Sequence, residues 1–221
     1  MKENFDSLFD PAIIRDTIAF YETRDRWQEI LNYRKLTAET GHVDNLFYGD
    51  SITDIWPLHE FFPNHSLLNR GIGGDNTFGM IDRLPDILKS KPRKIFLMAG
   101  INDLTGGQPV DTIVMNITRM ADMVHEAVPG CRLYIQSVLP VNTRRLAYPG
   151  LKGHNPQVRA LNARLVRLCD AKPWCTFVDL APLLSDADGE LRIDLTKDGI
   201  HLHPAGYVIW TDYLKKQKYL K

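Results

Sequence analysis

The sequence lacks the features that mark charge-driven, membrane-spanning and secreted proteins. Lys+Arg and Asp+Glu both total 27, so the formal net charge is zero and no overall field attracts nucleic acid or an anionic membrane. No apolar run reaches transmembrane length, and the first six residues lack the apolar core of a signal peptide. We therefore expect a cytoplasmic protein with no nucleic-acid partner and no membrane insertion, although a trimmed export signal is left open.

Cysteine is scarce as well. The three cysteines (Cys131, Cys169 and Cys175) form no Cys-x-x-Cys pair, and their odd number argues against a disulfide framework. We expect all three to be buried thiols. None of them follows a strand-to-turn signal, so a cysteine nucleophile is disfavoured.

The remaining composition is typical of a soluble α/β domain. Of the 221 residues, 44% are apolar and 24% are charged, which fits one domain with a substantial core. Apolar runs predict strands at 46–48, 66–69, 94–99, 132–138 and 175–180. Helical patterns occupy 10–36, 54–62, 75–89, 109–128, the segment from 155 and 204–219, with Pro85 as a kink or break.

This alternation predicts a single-domain, three-layer αβα fold. Right-handed crossovers between parallel strands place helices on both faces of one sheet. We expect residues 1–40 to form an N-terminal helical segment that packs on a domain of residues 41–221.

One polar turn stands out because it follows an apolar run directly. Gly49–Thr53 ends the first predicted strand, and open α/β sheets bind ligands at the carboxyl ends of their strands. Ser51 is therefore a candidate nucleophile, but a lone serine hydroxyl needs a base to activate it. Asp198 and His201, three residues apart near the other end of the chain, are a candidate acid and base.

Two further polar turns follow apolar runs between these residues. They are Gly71–Asp75 and Gly100–Asp103. Together, the four turns indicate one site at one edge of the sheet.

In order, Gly49–Thr53, Gly74, Gly100–Asp103 and 198–201 resemble the blocks of the GDSL/SGNH hydrolases. The segment 69–75 also resembles the second block of the platelet-activating-factor acetylhydrolase catalytic subunits and small bacterial acylhydrolases. The resemblance implies a flavodoxin-like, five-stranded parallel sheet of order 2-1-3-4-5, ester hydrolysis and no cofactor. Dimers occur among similar proteins, so the resemblance also points to a homodimer.

The resemblance assigns roles to five residues. Ser51 is the nucleophile, His201 the base and Asp198 the group that orients it. The oxyanion donors are the backbone N–H groups of Ser51 and Gly74 and the side-chain amide of Asn102. We expect glycine at position 74 because a Cβ would crowd a backbone donor aimed at substrate.

We expect supporting or substrate-binding roles for a second group of polar residues, with Asp50 organising the turn and His203 near the base. The group is Asp50, Arg70, Asp75, Asn142 and His203.

Each motif has a different interpretation when it is taken alone. Gly-Asp-Ser is a common turn composition, and Asn102-Asp103 could cap the next segment. Gly71–Gly74 could cradle a phosphate, but no Lys-Ser or Lys-Thr follows as in a P-loop. His201 and His203 could bind a metal with Asp198, but no further ligand is obvious and we expect none. An ordinary α/β-hydrolase would need glycine at position 53, where this chain has threonine.

The favoured substrate is a small acyl ester with a short chain, above all an acetyl ester, as on an acetylated carbohydrate. The sequence shows no long apolar lid suited to an insoluble lipid, and the loop 140–154 leaves the end of a strand and should border the pocket. A lysophospholipid or an acyl thioester is the alternative. A catalytically silent module that binds a glycan or a protein is an alternative of another class, but no expected catalytic residue is missing.

Overall fold

The fold was analysed in a computed structural model that describes residues 28–33, 35–37 and 39–220. Its centre is one sheet of five parallel strands in the order β2-β1-β3-β4-β5. The strands are β1 (Asn45–Gly49), β2 (Leu67–Gly71), β3 (Lys94–Leu97), β4 (Arg132–Gln136) and β5 (Cys175–Val178). Both the sheet and its order are as predicted, and β1 is buried along its whole length, as expected for a strand covered on both faces.

Helices connect the strands and cover the sheet. They are α1 (Ser51–Asp54), α2 (Leu58–Phe61), α3 (Thr77–Leu88), α4 (Ile101–Thr105), α5 (Val110–Ala127), α6 (Asn155–Asp170), α7 (Ala181–Leu184) and α8 (Pro204–Lys216). Short 3₁₀ turns occur at Pro149–Leu151 and Ile193–Leu195.

One face of the sheet is a continuous aromatic layer. The rings of Phe47, Phe96 and Tyr134 stack across β1, β3 and β4 with centroids 4.7 and 4.8 Å apart. Trp56 packs edge-on against Phe47 at 5.2 Å, and Trp210 of α8 lies 4.4 Å from Trp56. Helix α8 therefore covers this face.

The opposite face is covered by α3, α5 and α6. Side chains alternate between faces along a strand, so Tyr48 points away from its neighbour Phe47. Its hydroxyl donates to the carbonyl of Met80 in α3 over 2.6 Å. Helix α3 packs against α5, and α5 packs against α6, which completes the third layer.

The predicted helix at 54–62 is wrong in its bounds. Helix α1 already begins at Ser51, and Pro57 separates it from α2. A proline disfavours helical backbone at the preceding residue, here Trp56, so the helical pattern divides into two short helices.

Pro85 does not break α3, which runs from Thr77 to Leu88 without interruption. Its ring lies on the exposed side, while Leu84 and Ile87 beside it are buried. Packing of this apolar face holds both halves of the helix on the sheet despite the missing N–H.

The prediction of three free thiols is wrong. Cys169 and Cys175 form a disulfide, with Cα atoms 4.8 Å apart. The short connection from α6 to β5 turns the chain back on itself, so residues six positions apart meet without a Cys-x-x-Cys motif. Cys131 alone is free and buried, and burial raises the pKa of its thiol to about 12.

The described residues between 28 and 40 are helical, in agreement with the end of the predicted helix, and its residues 10–27 lie outside the described part. Thr37 is buried and accepts a hydrogen bond from Arg70 Nε at 3.1 Å. The Arg70 guanidinium also lies 4.7 Å from the ring centroid of Tyr33. The division of the chain at residue 40 stays a prediction.

Candidate active site

Ser51 is the first residue of α1 and is separated from the end of β1 by one residue, Asp50. Asp50, the residue between them, accepts a hydrogen bond from the Ile52 N–H at 2.9 Å and so caps the helix, which is the turn-organising position expected for it. Burial raises the pKa of Asp50 to about 7, with a further increase from Asp75 and Asp103, although the bond from Ile52 opposes it. The cap therefore fixes the position of Ser51 relative to the end of β1.

Asp198 and His201 meet Ser51 at this edge. His201 Nε2 lies 2.8 Å from Ser51 Oγ, and His201 Nδ1 lies 2.6 Å from Asp198 Oδ2. The other carboxylate oxygen of Asp198 accepts from the backbone N–H groups of Ile200 and His201, at 3.1 and 2.8 Å. The carboxylate is therefore fixed at both oxygens and orients the ring.

The same contacts favour the charged form of Asp198. Burial by itself raises the pKa of this carboxyl, but the hydrogen bonds from the His201 ring and from the backbone of His201 and Ile200 outweigh burial and hold the pKa below its ordinary value. An ionised Asp198 keeps the proton of His201 on Nδ1, which leaves Nε2 able to accept a proton from Ser51.

The turn that carries Asp198 is held by the 140–154 loop. The N–H of Asn142 donates to the Gly199 carbonyl at 2.8 Å, and the N–H of Ala147 donates to the Asp198 carbonyl at 2.9 Å. Gly199 has φ +90°, and a Cβ there would lie 2.7 Å from Leu146 Cα. The loop and the turn thus pack backbone to backbone.

Gly74 lies on the loop after β2, and Asn102 is the second residue of α4, after β3. Gly74 is exposed and adopts φ +70°, and a Cβ built on it meets nothing within 4 Å. No protein atom therefore limits the space here, and the positive φ is a reason for glycine that the sequence did not indicate. Crowding of a substrate-facing donor by a Cβ stays a prediction. Asn102 Nδ2 donates to the Asp75 carbonyl at 2.8 Å, and since an amide nitrogen carries two hydrogens, one remains for a ligand.

Asp103 makes a further connection, from α4 to the first residue of α3. Its carboxylate accepts from the N–H of Thr77 at 3.0 Å and from the Thr77 hydroxyl at 2.5 Å, and Asn116 donates to that hydroxyl. Burial raises the pKa of Asp103, and the bonds from Thr77 oppose this rise. Asn102 does not cap α4, whose N-cap is Gly100, so the capping interpretation is wrong.

The other supporting residues lie around this core. The Asp75 carboxylate pairs with Arg83 at 2.7 Å. The Arg70 guanidinium donates to the Thr37 hydroxyl and to the Asn69 carbonyl. Asn142 is fully buried; its side chain donates to the Leu191 carbonyl and accepts from the Arg145 N–H. His203 is the N-cap residue of α8, and its backbone N–H donates to the Leu195 carbonyl.

Tyr148 extends from the 140–154 loop towards the base. Its ring centroid lies 6.1 Å from that of His201, at an interplanar angle of 73°, and 46% of the residue is exposed. The next residues, Pro149–Leu151, contact α4. The loop therefore runs beside the site from His201 to the helix that carries Asn102.

The described ranges, 28–33, 35–37 and 39–220, lack two features of other protein classes. No cluster of three His, Cys, Asp or Glu side chains there has the arrangement of a metal site. In this same part of the chain, no helix combines the length and apolar character needed to cross a bilayer.

Sequence reasoning did not identify Arg83 or the hydrogen bonds between Asp103 and Thr77. Arg83 interrupts the buried stripe of α3 between Met80 and Ile87. A charged residue on an apolar helix face was the available signal, since such a residue is buried only when it is paired.

Comparison with known proteins agrees with the resemblance found in the sequence. Residues 47–209 match the model of the GDSL-like lipase/acylhydrolase family. The chain is 27% identical over 192 residues to the human platelet-activating factor acetylhydrolase IB subunit alpha1, covering 82% of this chain and 78% of that protein.

Two solved structures extend the comparison. A Streptococcus pneumonia protein described as a platelet activating factor superposes with a TM-score of 0.86 at 28% identity, covering 94% of this chain and 99% of that one. An acetylxylan esterase variant from Geobacillus stearothermophilus shares the fold at 17% identity, with a TM-score of 0.62 and coverage of 82% and 96%. The chain belongs to the GDSL-like lipase/acylhydrolase family and is a hydrolase of ester bonds.

Proposed function

We propose that this protein is a serine esterase that removes short acyl groups, above all acetyl, by way of an acyl-enzyme on Ser51. The single observation that carries the proposal is the 2.8 Å contact between Ser51 Oγ and His201 Nε2, continued to Asp198 at 2.6 Å. A nucleophile, a base and an orienting carboxylate in hydrogen-bond contact are the arrangement that acyl transfer requires.

In the first half-reaction, Ser51 Oγ attacks the ester carbonyl while its proton passes to His201 Nε2. The negative charge develops on the former carbonyl oxygen. The N–H groups of Ser51 and Gly74 and the second hydrogen of Asn102 Nδ2 are the donors for it. Asp198 stabilises the imidazolium that forms.

The tetrahedral intermediate then expels the alcohol, which takes the proton from His201. In the second half-reaction, His201 removes a proton from water, and the hydroxide attacks the acyl-enzyme. Collapse of that intermediate releases the carboxylic acid and returns the proton to Ser51. No step calls for a cofactor, since all proton transfers use His201.

The identity of the acyl group is inferred from the names of relatives. The human relative is named an acetylhydrolase, and the Geobacillus stearothermophilus neighbour an acetylxylan esterase. The shared feature of the two names is an acetyl ester.

The alcohol is inferred from the position of Tyr148. His201 must reach the leaving oxygen to protonate it, so the alcohol leaves on the side of the site where the Tyr148 ring stands beside His201. A half-exposed aromatic ring there suits an alcohol with an apolar face, such as a sugar ring. This favours an acetylated carbohydrate.

A lysophospholipid or related phospholipid ester is the second candidate, and the name of the human relative supports it. The test is a panel in which acyl length and alcohol vary separately: p-nitrophenyl acetate to p-nitrophenyl decanoate, acetylated xylo-oligosaccharides, and an acetylated lysophospholipid. We expect kcat/KM to fall as the acyl chain lengthens and the acetylated sugar to be deacetylated.

Preference for the decanoate or for the phospholipid would replace the carbohydrate assignment. No turnover of any ester by the wild-type protein, with sugar binding retained, would instead support a catalytically silent binding module.

A further inference from the structure

Arg83 of α3 is a buried cation whose guanidinium joins three segments around the candidate active site. Its side chain is 2% exposed, and that of its partner Asp75 is 1% exposed. Nε donates to Asp75 Oδ2 at 2.7 Å, one terminal nitrogen to the Arg70 carbonyl at 2.8 Å and the other to the Gly49 carbonyl at 3.0 Å. The guanidinium carbon lies 4.3 Å from the ring centroid of Tyr48.

The three acceptors of Arg83 lie on different segments around the site. Gly49 is the last residue of β1, two residues before Ser51, and Arg70 belongs to the edge strand β2. Asp75 follows Gly74 and its backbone carbonyl receives the side-chain amide of Asn102. One guanidinium therefore spans from the nucleophile's strand to the loop that carries Gly74 and accepts the side-chain amide of Asn102.

The space for the ion pair is built into α3. A Cβ on Gly79 would lie 2.2 Å from Asp75 Oδ1, so a glycine is needed where this helix passes the carboxylate. The other carboxylate oxygen meets Arg83, one turn further along the same helix. Helix α3 thus holds the Asp75 side chain in two ways: Gly79 has no Cβ and leaves room for one carboxylate oxygen, and Arg83 donates to the other.

We propose that the Arg83–Asp75 pair positions the oxyanion hole relative to Ser51, acting through the Asp75 backbone on Asn102 and Gly74. Arg83 is a positioning residue, since none of its contacts reaches Ser51 Oγ or the space above it. The inference rests on the proposed serine-esterase function and adds the device that sets the distance between nucleophile and oxyanion donors.

The geometry favours arginine specifically. A planar guanidinium presents donors in fixed directions and can bond three acceptors on separate segments, whereas a lysine ammonium at the same place is a compact point charge. Oxyanion donors act only when their placement matches the charge that develops in the transition state, so a shift of about 1 Å can lower turnover roughly 10²-fold.

Three variants test the proposal without removing a group that touches substrate. Arg83→Lys keeps the positive charge and loses the planar guanidinium with its several donors. Asp75→Asn keeps the size of the side chain and loses its negative charge. Gly79→Ala displaces the Asp75 carboxylate while keeping both charged groups. Gly79→Ala also raises helix propensity, which offsets part of the cost of moving the carboxylate. Leu165→Ala, a buried substitution in α6, is the matched control for lost stability alone.

We expect Arg83→Lys and Gly79→Ala to lower kcat with p-nitrophenyl acetate by about 10- to 100-fold at a temperature well below the melting temperature, with little change in KM. Leu165→Ala should lower the melting temperature and leave kcat near the wild-type value. Normal kcat in the folded variants would overturn the proposal and leave the ion pair a role in stability only.

A double-mutant cycle with Asn102→Ala separates positioning from general loosening. If Arg83 acts through Asn102, Arg83→Lys should cost much less turnover when Asn102 is already alanine. An equal loss in both backgrounds would overturn the proposal. Failure of the underlying function is recognised separately, because Ser51→Ala would then retain wild-type turnover whatever the Arg83 variants do.

Discussion

His201 Nε2 lies 2.8 Å from Ser51 Oγ although the two residues are 150 positions apart in the chain. His203, only two residues further on, is the N-cap residue of α8. We therefore expect the two histidines to differ in role despite their proximity in sequence.

Alanine substitutions test this difference. His201→Ala should lower kcat by roughly 10⁴–10⁶-fold, the range seen when a triad member is removed, because Ser51 loses its base. His203→Ala should retain most turnover. Steady-state kinetics with p-nitrophenyl acetate measure both, and a larger loss from His203→Ala would reassign the base.

Asn102 should matter for turnover rather than for folding. Asn102→Ala removes a donor to the developing oxyanion and should lower kcat by roughly 10²–10³-fold, about 3–4 kcal/mol, with little change in KM. Asn45→Ala is the matched control, since the Asn45 amide also donates to a backbone carbonyl but lies at the opposite end of β1. If both variants lose only stability, Asn102 does not belong to the site.

Asp50 should make stability depend on pH. Burial raises its folded pKa to about 7, above the value of an exposed aspartate near ~3.9. The folded protein then holds a proton that the unfolded chain has released between about pH 4 and 7. The contribution of Asp50 to the free energy of unfolding is therefore present below pH ~4 and lost as the pH rises through ~7.

Asp50→Asn, which keeps an acceptor for the Ile52 N–H, removes this titration. Urea unfolding at several pH values should show the wild type losing stability relative to Asp50→Asn as the pH rises from 4 to 7. Parallel curves for the two proteins would mean that Asp50 is ionised throughout this range.

Turnover should be independent of metal ions. Every step of the proposed reaction uses Ser51, His201 and Asp198, so dialysis against EDTA should leave kcat unchanged. A loss of activity that zinc restores would favour a metal-assisted hydrolysis at His201 and His203 instead.

Much of the fold and the core of the site could be predicted because their signals are local. Continuous apolar runs such as 94–99 indicate strands buried on both faces, and polar turns at their ends place Ser51 and Asn102 at one sheet edge. The ordered motifs also located Asp198 and His201. Which loops meet across the edge follows from the parallel topology rather than from any single residue.

The remaining features depend on contacts between distant segments. Nothing near Arg83 in the sequence indicates that its partners are carbonyls of β1 and β2 and the Asp75 carboxylate. The Cys169–Cys175 disulfide depends on how tightly α6 turns into β5. The positive φ of Gly74 is a backbone angle that no local pattern in the sequence indicates.

The most direct test of the central proposal is whether Ser51 becomes covalently modified. A fluorophosphonate probe should add one phosphonyl group to the wild-type protein, located on Ser51 by intact mass and peptide mapping, and abolish esterase activity in parallel. Ser51→Ala should stay unlabelled and inactive while retaining the wild-type melting temperature to within a few degrees. Labelling or ester turnover that persists in folded Ser51→Ala would contradict the account.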